Sequence, residues 1–399
     1  MINNITRRTA LETFGVTLAA GTMLHGAPSE TIRLGCIGTG GRCRALMKSL
    51  LTIPNVSIVA LSDVRLDALA QAKALVGDKV TTFADYRKLL DDKTIDAVVI
   101  GSPDHWHVPM TIDGVAAGKD VYVEKPLTHS LEEGEKVIQA VRKSKQVVQI
   151  GTQQRSMEHI QKAREAVEAG KIGKVYRVHM SWNRNSDRIK KGEPATNASN
   201  VNWKAFLGNA ADQPFDDYKM RNWRWFWDFG GGIFTDLMVH WVDVAHWVLN
   251  LESPLNAASL GTMVNAKGVW ETPDMVQTIL EYKDGVQMFF EGGFSNARHG
   301  SRIEFMGTEG TIYVDRGRFE IIPDWNRKIK AEEMVLGTGR RGADFYEKPD
   351  GERVHLENWI NAMRTRKDPS SPVEAGVHAA AAAHLANKAL RSGKIAASK

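Results

Sequence analysis

Ile32-Arg33-Leu34-Gly35-Cys36-Ile37-Gly38-Thr39-Gly40-Gly41-Arg42-Cys43 reads as a short apolar strand, a glycine turn and the start of a helix running from Arg42 to Leu51. Gly38 permits the tight turn, and Gly40 lets the backbone approach a pyrophosphate. The unbonded amides of the helix start, with Thr39, Gly41 and Arg42, supply donors and the positive end of the helix dipole. A glycine three positions after Gly40 would normally let helix and strand pack closely. Cys43 stands there instead, and its side chain is expected to loosen that approach. The next apolar run, Val56 to Leu61, ends near Asp63, which is placed to accept from the ribose hydroxyls of an adenosine. This favours NAD as cofactor. Arg65 leaves NADP as the lesser alternative.

Outward from this turn, strand and helix alternate: a helical stretch after Leu66, the run Ala97-Val98-Val99-Ile100, a helix from Val108 to Ala117, a strand from Asp120 to Val123, a helix near Leu131 to Lys143, and Val147 to Ile150. Such alternation predicts a parallel sheet covered on both faces. After Gly151 the pattern changes. A helix from His159 to Ala169 precedes an alternating strand, Val175 to Trp182, and further strand-like runs follow at Val276 to Tyr282, Gln287 to Glu291, Arg302 to Met306 and Thr311 to Val314. The expected class is α/β: an N-terminal Rossmann domain over 31–151, then an α+β domain with a large, mostly antiparallel sheet over 152–399. The segment Arg184 to Phe229, polar and rich in tryptophan, reads as an active-site loop system.

The 399 residues suit two domains, and no apolar run approaches a membrane span. The formal charge is +5, but basic and acidic residues are interleaved, so no nucleic-acid footprint is visible. Cys36 and Cys43 suggest neither a disulfide framework nor a zinc site; they read as two buried thiols. Residues 1–30 differ from the rest. Arg7-Arg8 precedes a weakly apolar stretch from Phe14 to Ala27, the layout of a twin-arginine export signal, which predicts a periplasmic or otherwise exported protein.

Two further motifs carry chemistry. Glu124-Lys125-Pro126 ends the strand Asp120 to Val123 at the carboxyl edge of the sheet, where a lysine can hold a substrate hydroxyl and favour the alkoxide that develops as hydride leaves. Asp236 and His240 lie four residues apart, so an α-helix would put both on one face, the imidazole serving as proton acceptor. Asp243 and His246 continue that helix and make a metal site conceivable, but hydride transfer to nicotinamide needs only a base, and no metal is expected.

With these marks together, the chain resembles the Gfo/Idh/MocA oxidoreductases, the glucose-fructose oxidoreductase and inositol dehydrogenase family. Phe305-Met306-Gly307-Thr308-Glu309-Gly310 and the stretch His355 to Asn358 add to the likeness. The resemblance implies that Lys125, Asp236 and His240 form the catalytic group, with His240 or Lys125 taking the proton. It also implies a homo-oligomer, dimer or tetramer, formed through the second sheet. Ser102, His107 and Glu124 are assigned to the cofactor. His105, Trp182, Arg184, Trp223 and Arg224 are assigned to the substrate, because aromatic faces stack on sugars while arginine bonds their hydroxyls; Asn183, Trp203, Trp225 and Trp227 share that composition. The expected function is hydride transfer between a sugar or polyol carbon and a tightly bound nicotinamide. The alternative is a glycosidase that works by transient oxidation, elimination and re-reduction.

Overall fold

The computed structural model describes residues 31–186, 188–189, 196–337, 339–342 and 351–398; the expected export signal at 1–30 lies outside them. The apolar runs of the first half assemble as β1 (Ile32–Ile37), β2 (Val56–Ser62), β3 (Thr81–Phe83), β4 (Ala97–Ile100), β5 (Asp120–Val123) and β6 (Val148–Ile150). They form one parallel sheet in the order β3-β2-β1-β4-β5-β6. Every residue of β4 and β5 is buried, as expected of central strands covered by helices on both faces. The order reverses between β1 and β4, which opens a crevice at the carboxyl ends of those strands.

The second sheet contains β7 (Val175–Asn183), β8 (Asn256–Thr262), β9 (Met275–Glu281), β10 (Gln287–Gly293), β11 (Ser301–Gly307), β12 (Gly310–Asp315), β13 (Arg318–Pro323), β14 (Glu332–Val335) and β15 (Ala396–Ala397). Their order is β14-β13-β12-β11-β7-β10-β9-β8-β15, and only the β7–β10 pair is parallel. Alternation decides which face is covered. Along β9, Val276, Thr278 and Leu280 point inward and are buried, while Met275, Gln277, Ile279 and Glu281 are exposed. The covered face packs against the helices Glu158–Glu168, Val239–Leu249 and Val373–Ser392 through Ile160, Ala163, Trp241, Val244, Ala382 and Ala386.

The packing does not divide where the sequence changes character. Helix Gly351–Thr365 returns to the first sheet, burying Leu356, Trp359 and Ile360 against Leu34, Cys36, Leu46 and Met47. The strands β3, β8, β13, β14 and β15 and the helices Tyr86–Asp91, Gly351–Thr365 and Val373–Ser392 are among the elements the sequence pattern does not predict. In β8, Asn256-Ala-Ala-Ser-Leu-Gly-Thr262 has small residues and exposed positions, which erases the period-two signal.

Candidate active site

Two connected cavities open at the carboxyl edge of the first sheet. The larger, about 620 Å³, runs along the glycine turn. Gly38 has φ of +72°, its amide donates to Ser62 O at 2.8 Å, and a Cβ there would lie 2.6 Å from Ser102 N. Only glycine fits. Gly40 and Gly41 differ: a Cβ on either would meet nothing within 4 Å, although both line the cavity. The protein itself does not need those glycines, so the room they leave fits the close approach of a pyrophosphate to the backbone. The open side is walled by the tryptophan-rich segment, which contributes Asn202, Phe206, Gly208, Trp223 and Arg224.

Asp63 is oriented from two sides. Thr39 Oγ1 donates to Oδ2 at 3.2 Å, and the Arg65 amide donates to Oδ1 at 2.8 Å. The Arg65 guanidinium turns back onto Asp67. Cys43 is fully buried without the expected loosening, because the missing space is supplied from the partner strand. A Cβ on Gly101, just beyond β4, would lie 2.7 Å from Cys43 Cβ. Here the glycine has moved across the helix–strand contact.

The smaller cavity, about 380 Å³, shares Arg42, Gly101, Ser102, Trp223 and Arg224 with the larger. Lys125, Asp236 and His240 converge in it. Lys125 Nζ donates to Asp236 O at 2.7 Å and to Oδ1 at 3.2 Å, and Arg224 Nε donates to the same Oδ1 at 3.0 Å. Burial alone would raise the Asp236 carboxyl. The facing charges of Lys125, Arg224, Arg188 and Arg184 more than offset this and hold it below the usual carboxylate range. Burial, with Lys125 and Arg316 acting in the same direction, holds His240 well below the usual histidine pKa, so its ring is neutral at physiological pH. His240 Nδ1 is buried with no hydrogen-bond partner.

The Asp236–His240 spacing works differently from the expectation. Phe234–Met238 is a π-helical turn, bonded to i+5, which then passes into the α-helix Val239–Leu249. The two side chains are therefore not stacked as on an α-helix, yet both reach the chamber. Asp243 and His246 leave it altogether. Asp243 forms a buried bidentate pair with Arg155, at 2.7 and 2.8 Å, and His246 Nε2 lies 2.7 Å from the Tyr282 hydroxyl. Among the described residues, no group of three His, Cys, Asp or Glu side chains is placed to hold a metal ion.

Other expected residues divide between wall and brace. Trp182, Arg184, Trp223, Arg224, Ser102 and Glu124 line the chamber. Glu124 accepts from Arg42 Nε at 2.8 Å, and Arg42 also pairs with Glu352. His107 lines the chamber too, but its nitrogens lie 2.7 Å from Pro126 O and 2.9 Å from Ser102 O, so it braces the turn that carries Lys125. His105 is a correction. It lines neither cavity; its Nε2 lies 2.8 Å from Phe206 O, and its ring packs on Phe206 and Phe229, because the helical turn Asp104–Trp106 aims it into the core. Trp203 stacks on Phe206 and Trp225 on Trp270, which makes them core as well. The sequence reading missed Asp104, Arg188 and Arg316 in the chamber wall. Asp104 directly precedes His105, Trp106 and His107 in the chain. Arg316, in the turn between β12 and β13, carries no local signal at all.

A Rossmann sheet with a glycine turn, an oriented carboxylate at the ribose position and a lysine, aspartate and neutral histidine in the adjoining chamber defines a nicotinamide-dependent oxidoreductase. Residues 32–152 match the family model described as "Oxidoreductase family, NAD-binding Rossmann fold", and residues 164–397 match the family's "C-terminal alpha/beta domain". The chain belongs to the Gfo/Idh/MocA oxidoreductase family, and its cofactor is NAD. It is 26% identical over 366 residues to a myo-inositol 2-dehydrogenase of Thermotoga maritima, covering 90% of this chain and 96% of that one. It is also 26% identical over 342 residues to the NAD(+)-dependent scyllo-inositol 2-dehydrogenase of Bacillus subtilis, covering 85% and 88%. Among solved structures, a levoglucosan dehydrogenase in complex with NADH and levoglucosan shares the fold, with a TM-score of 0.73 at 17% identity over 92% of this chain and 99% of that one.

Proposed function

We propose that the protein oxidises a secondary hydroxyl of a sugar or polyol, and reduces the ketone in reverse, with Lys125, Asp236 and His240 as its catalytic group. The observation that carries this reading is the convergence of Lys125, Asp236 and the uncharged His240 ring on one chamber, where the cofactor cleft opens into it. Bound NAD supplies the hydride acceptor. His240 takes the hydroxyl proton, while the Lys125 ammonium, held by Asp236, favours the oxygen as negative charge develops on it. The inositol and levoglucosan dehydrogenases to which the chain is similar support a polyol or sugar as substrate.

The test is to purify the protein, release and identify its dinucleotide, and follow absorbance at 340 nm on adding inositols, hexoses and glycosides. NADH formed in step with a ketone supports the reading. Aglycone release without net NADH would replace it with the oxidation–elimination–reduction cycle.

We propose export through the twin-arginine route, tested by whether Arg7→Lys with Arg8→Lys keeps the protein in the cytoplasm. We also propose a homo-oligomer formed on the open face of the second sheet, where Leu260 and Ile279 are 76% and 49% exposed. Light scattering that reports a monomer would overturn it.

A further inference from the structure

The ribose end of the cofactor cleft carries two arginines, and each is held by an acid of its own. Arg65 and Arg221 line the cleft together with Asp63, while Asp67 and Asp217 stand behind them and do not line it. Arg65 Nε donates to Asp67 Oδ1 at 3.1 Å, and Arg65 Nη2 donates to Asp67 Oδ2. Arg221 Nε and Nη2 donate to Asp217 Oδ2 at 2.8 and 2.6 Å. Both guanidiniums thus turn the Nε–Nη2 edge, one of those that can grip a carboxylate or phosphate through two parallel bonds, towards a neighbouring acid.

Sequence places the first pair, and tertiary structure brings the second beside it. Asp67 lies two residues after Arg65, in the first turn of helix Leu66–Val76, where the helix dipole also favours an acid. Asp217 and Arg221 lie four apart on the helical turn Asp217–Arg221 of the tryptophan-rich segment. Backbone contacts bring that segment to the end of β2: the Asn202 amide donates to Val64 O at 2.8 Å, and Val201 bridges to Arg65. Asp217 then faces Arg65 as well. Burial alone would lower the Arg65 guanidinium, but Asp67, Asp63 and Asp217 more than offset this and raise it. Burial would likewise raise the Asp67 carboxyl, and the bonds and charge of Arg65 reverse that, holding it below the usual carboxylate range.

In a Rossmann cleft, an acid after the second strand accepts from the free ribose 2′-hydroxyl, whereas an arginine nearby receives a phosphate on that oxygen. This cleft has both residue types. Which dinucleotide it takes therefore depends on where the guanidiniums point as well as on Asp63.

We propose that Asp67 and Asp217 are positioning residues that set the preference for NAD over NADP: they hold Arg65 and Arg221 in ion pairs, so that a 2′-phosphate meets the Asp63 carboxylate without either guanidinium turned to receive it. The inference rests on NAD as cofactor and is independent of which carbohydrate is oxidised. Neutralising either acid frees an arginine and removes a like charge from the surroundings of the phosphate, and both changes favour NADP.

The test equilibrates the purified holoprotein with an excess of NAD and NADP in equal amounts, removes free dinucleotide by gel filtration and measures the retained NADP:NAD ratio by mass spectrometry. Asp67→Asn and Asp217→Asn are each expected to raise that ratio about ten-fold, as one added charge-assisted contact with phosphate predicts. The gain should shrink as sodium chloride is added, because screening weakens the new contact. Asp67→Glu, which restores the acid, should keep the ratio near that of the unaltered protein. If Asp217→Asn does not fold, Asp67→Asn decides by itself, since the Asp67 side chain is 30% exposed at a helix start. A ratio unmoved by Asp67→Asn, or retention of NAD and NADP falling in parallel, would overturn the inference and leave the oxidoreductase reading intact.

Discussion

His240 can act as a base because its surroundings keep it uncharged. The ring is buried, and Lys125 and Arg316 add positive charge nearby. His240→Ala or Lys125→Ala is expected to lower turnover by about two to four orders of magnitude with bound NAD unchanged, as loss of proton transfer or oxyanion support predicts. Near-normal rates in both variants would sink the assignment. The pH dependence follows from the direction of the shift. A base must be unprotonated to work, and a lowered pKa keeps it so as the pH falls through the ordinary histidine value of about 6.5. The acid limb of kcat/KM due to His240 should therefore lie below 6.5. Arg316→Gln removes one of the nearby positive charges and should move that limb towards neutrality; an unmoved limb would detach Arg316 from the base. Asp63→Ala should weaken NAD retention, checked by cofactor content after gel filtration, because Asp63 is held by Thr39 and the Arg65 amide at the ribose position.

At the scale of elements, the site depends on two close contacts. Helix Gly41–Leu50 seats against the end of β4 because Gly101 makes room for Cys43. Gly101→Ala is expected to cost about 1–3 kcal/mol by overpacking, with partial recovery when combined with Cys43→Gly, read by chemical denaturation. Additive costs would show that the two positions do not share the space. The helix Val239–Leu249, which carries His240 into the chamber, is fixed to the turn Gln153–Ser156 by the buried Arg155–Asp243 pair. Asp243→Ala leaves a buried guanidinium unpaired and should cost about 3–5 kcal/mol. These contacts also explain what was legible. The glycine turn, Lys125 at the end of β5 and the pair Asp236 and His240 are local patterns, and local patterns survive in sequence. The swap of glycine between positions 43 and 101 is not local, so Cys43 alone suggested a looser loop than the one that forms.

Over the whole molecule, the chain closes on itself. Helix Gly351–Thr365 packs on the first sheet, and helix Val373–Ser392 packs against the core of the second and touches the first through Val373. Thermal unfolding should therefore be one cooperative transition in calorimetry, whereas two separated transitions would mean the domains are energetically independent. Acid should destabilise the fold through buried histidines. Burial lowers His246 to about 3 and His355 to about 4. The unfolded chain then binds protons first as the pH drops below about 6.5, and each group costs up to about 1.4 kcal/mol per pH unit down to its folded value. His355, 2.8 Å from Ile150 O through Nε2, ties the returning helix to β6. A denaturation midpoint that does not fall between pH 6.5 and 5 would contradict this.

By itself the sequence determined the parallel sheet, the glycine turn and the residue types proposed for the chemistry, because side-chain period and turn glycines act over a few residues. Only the tertiary structure decided which tryptophans are wall and which are core, that His105 faces inward, and that Arg184, Arg224 and Arg316 meet in one chamber. Those outcomes depend on strand register: Ser301 opposite Trp182 and Arg302 opposite Asp315 carry the end of β7 and the β12–β13 turn to the same place. Register is set by the sum of many weak, distant contacts, and no short window of sequence contains it.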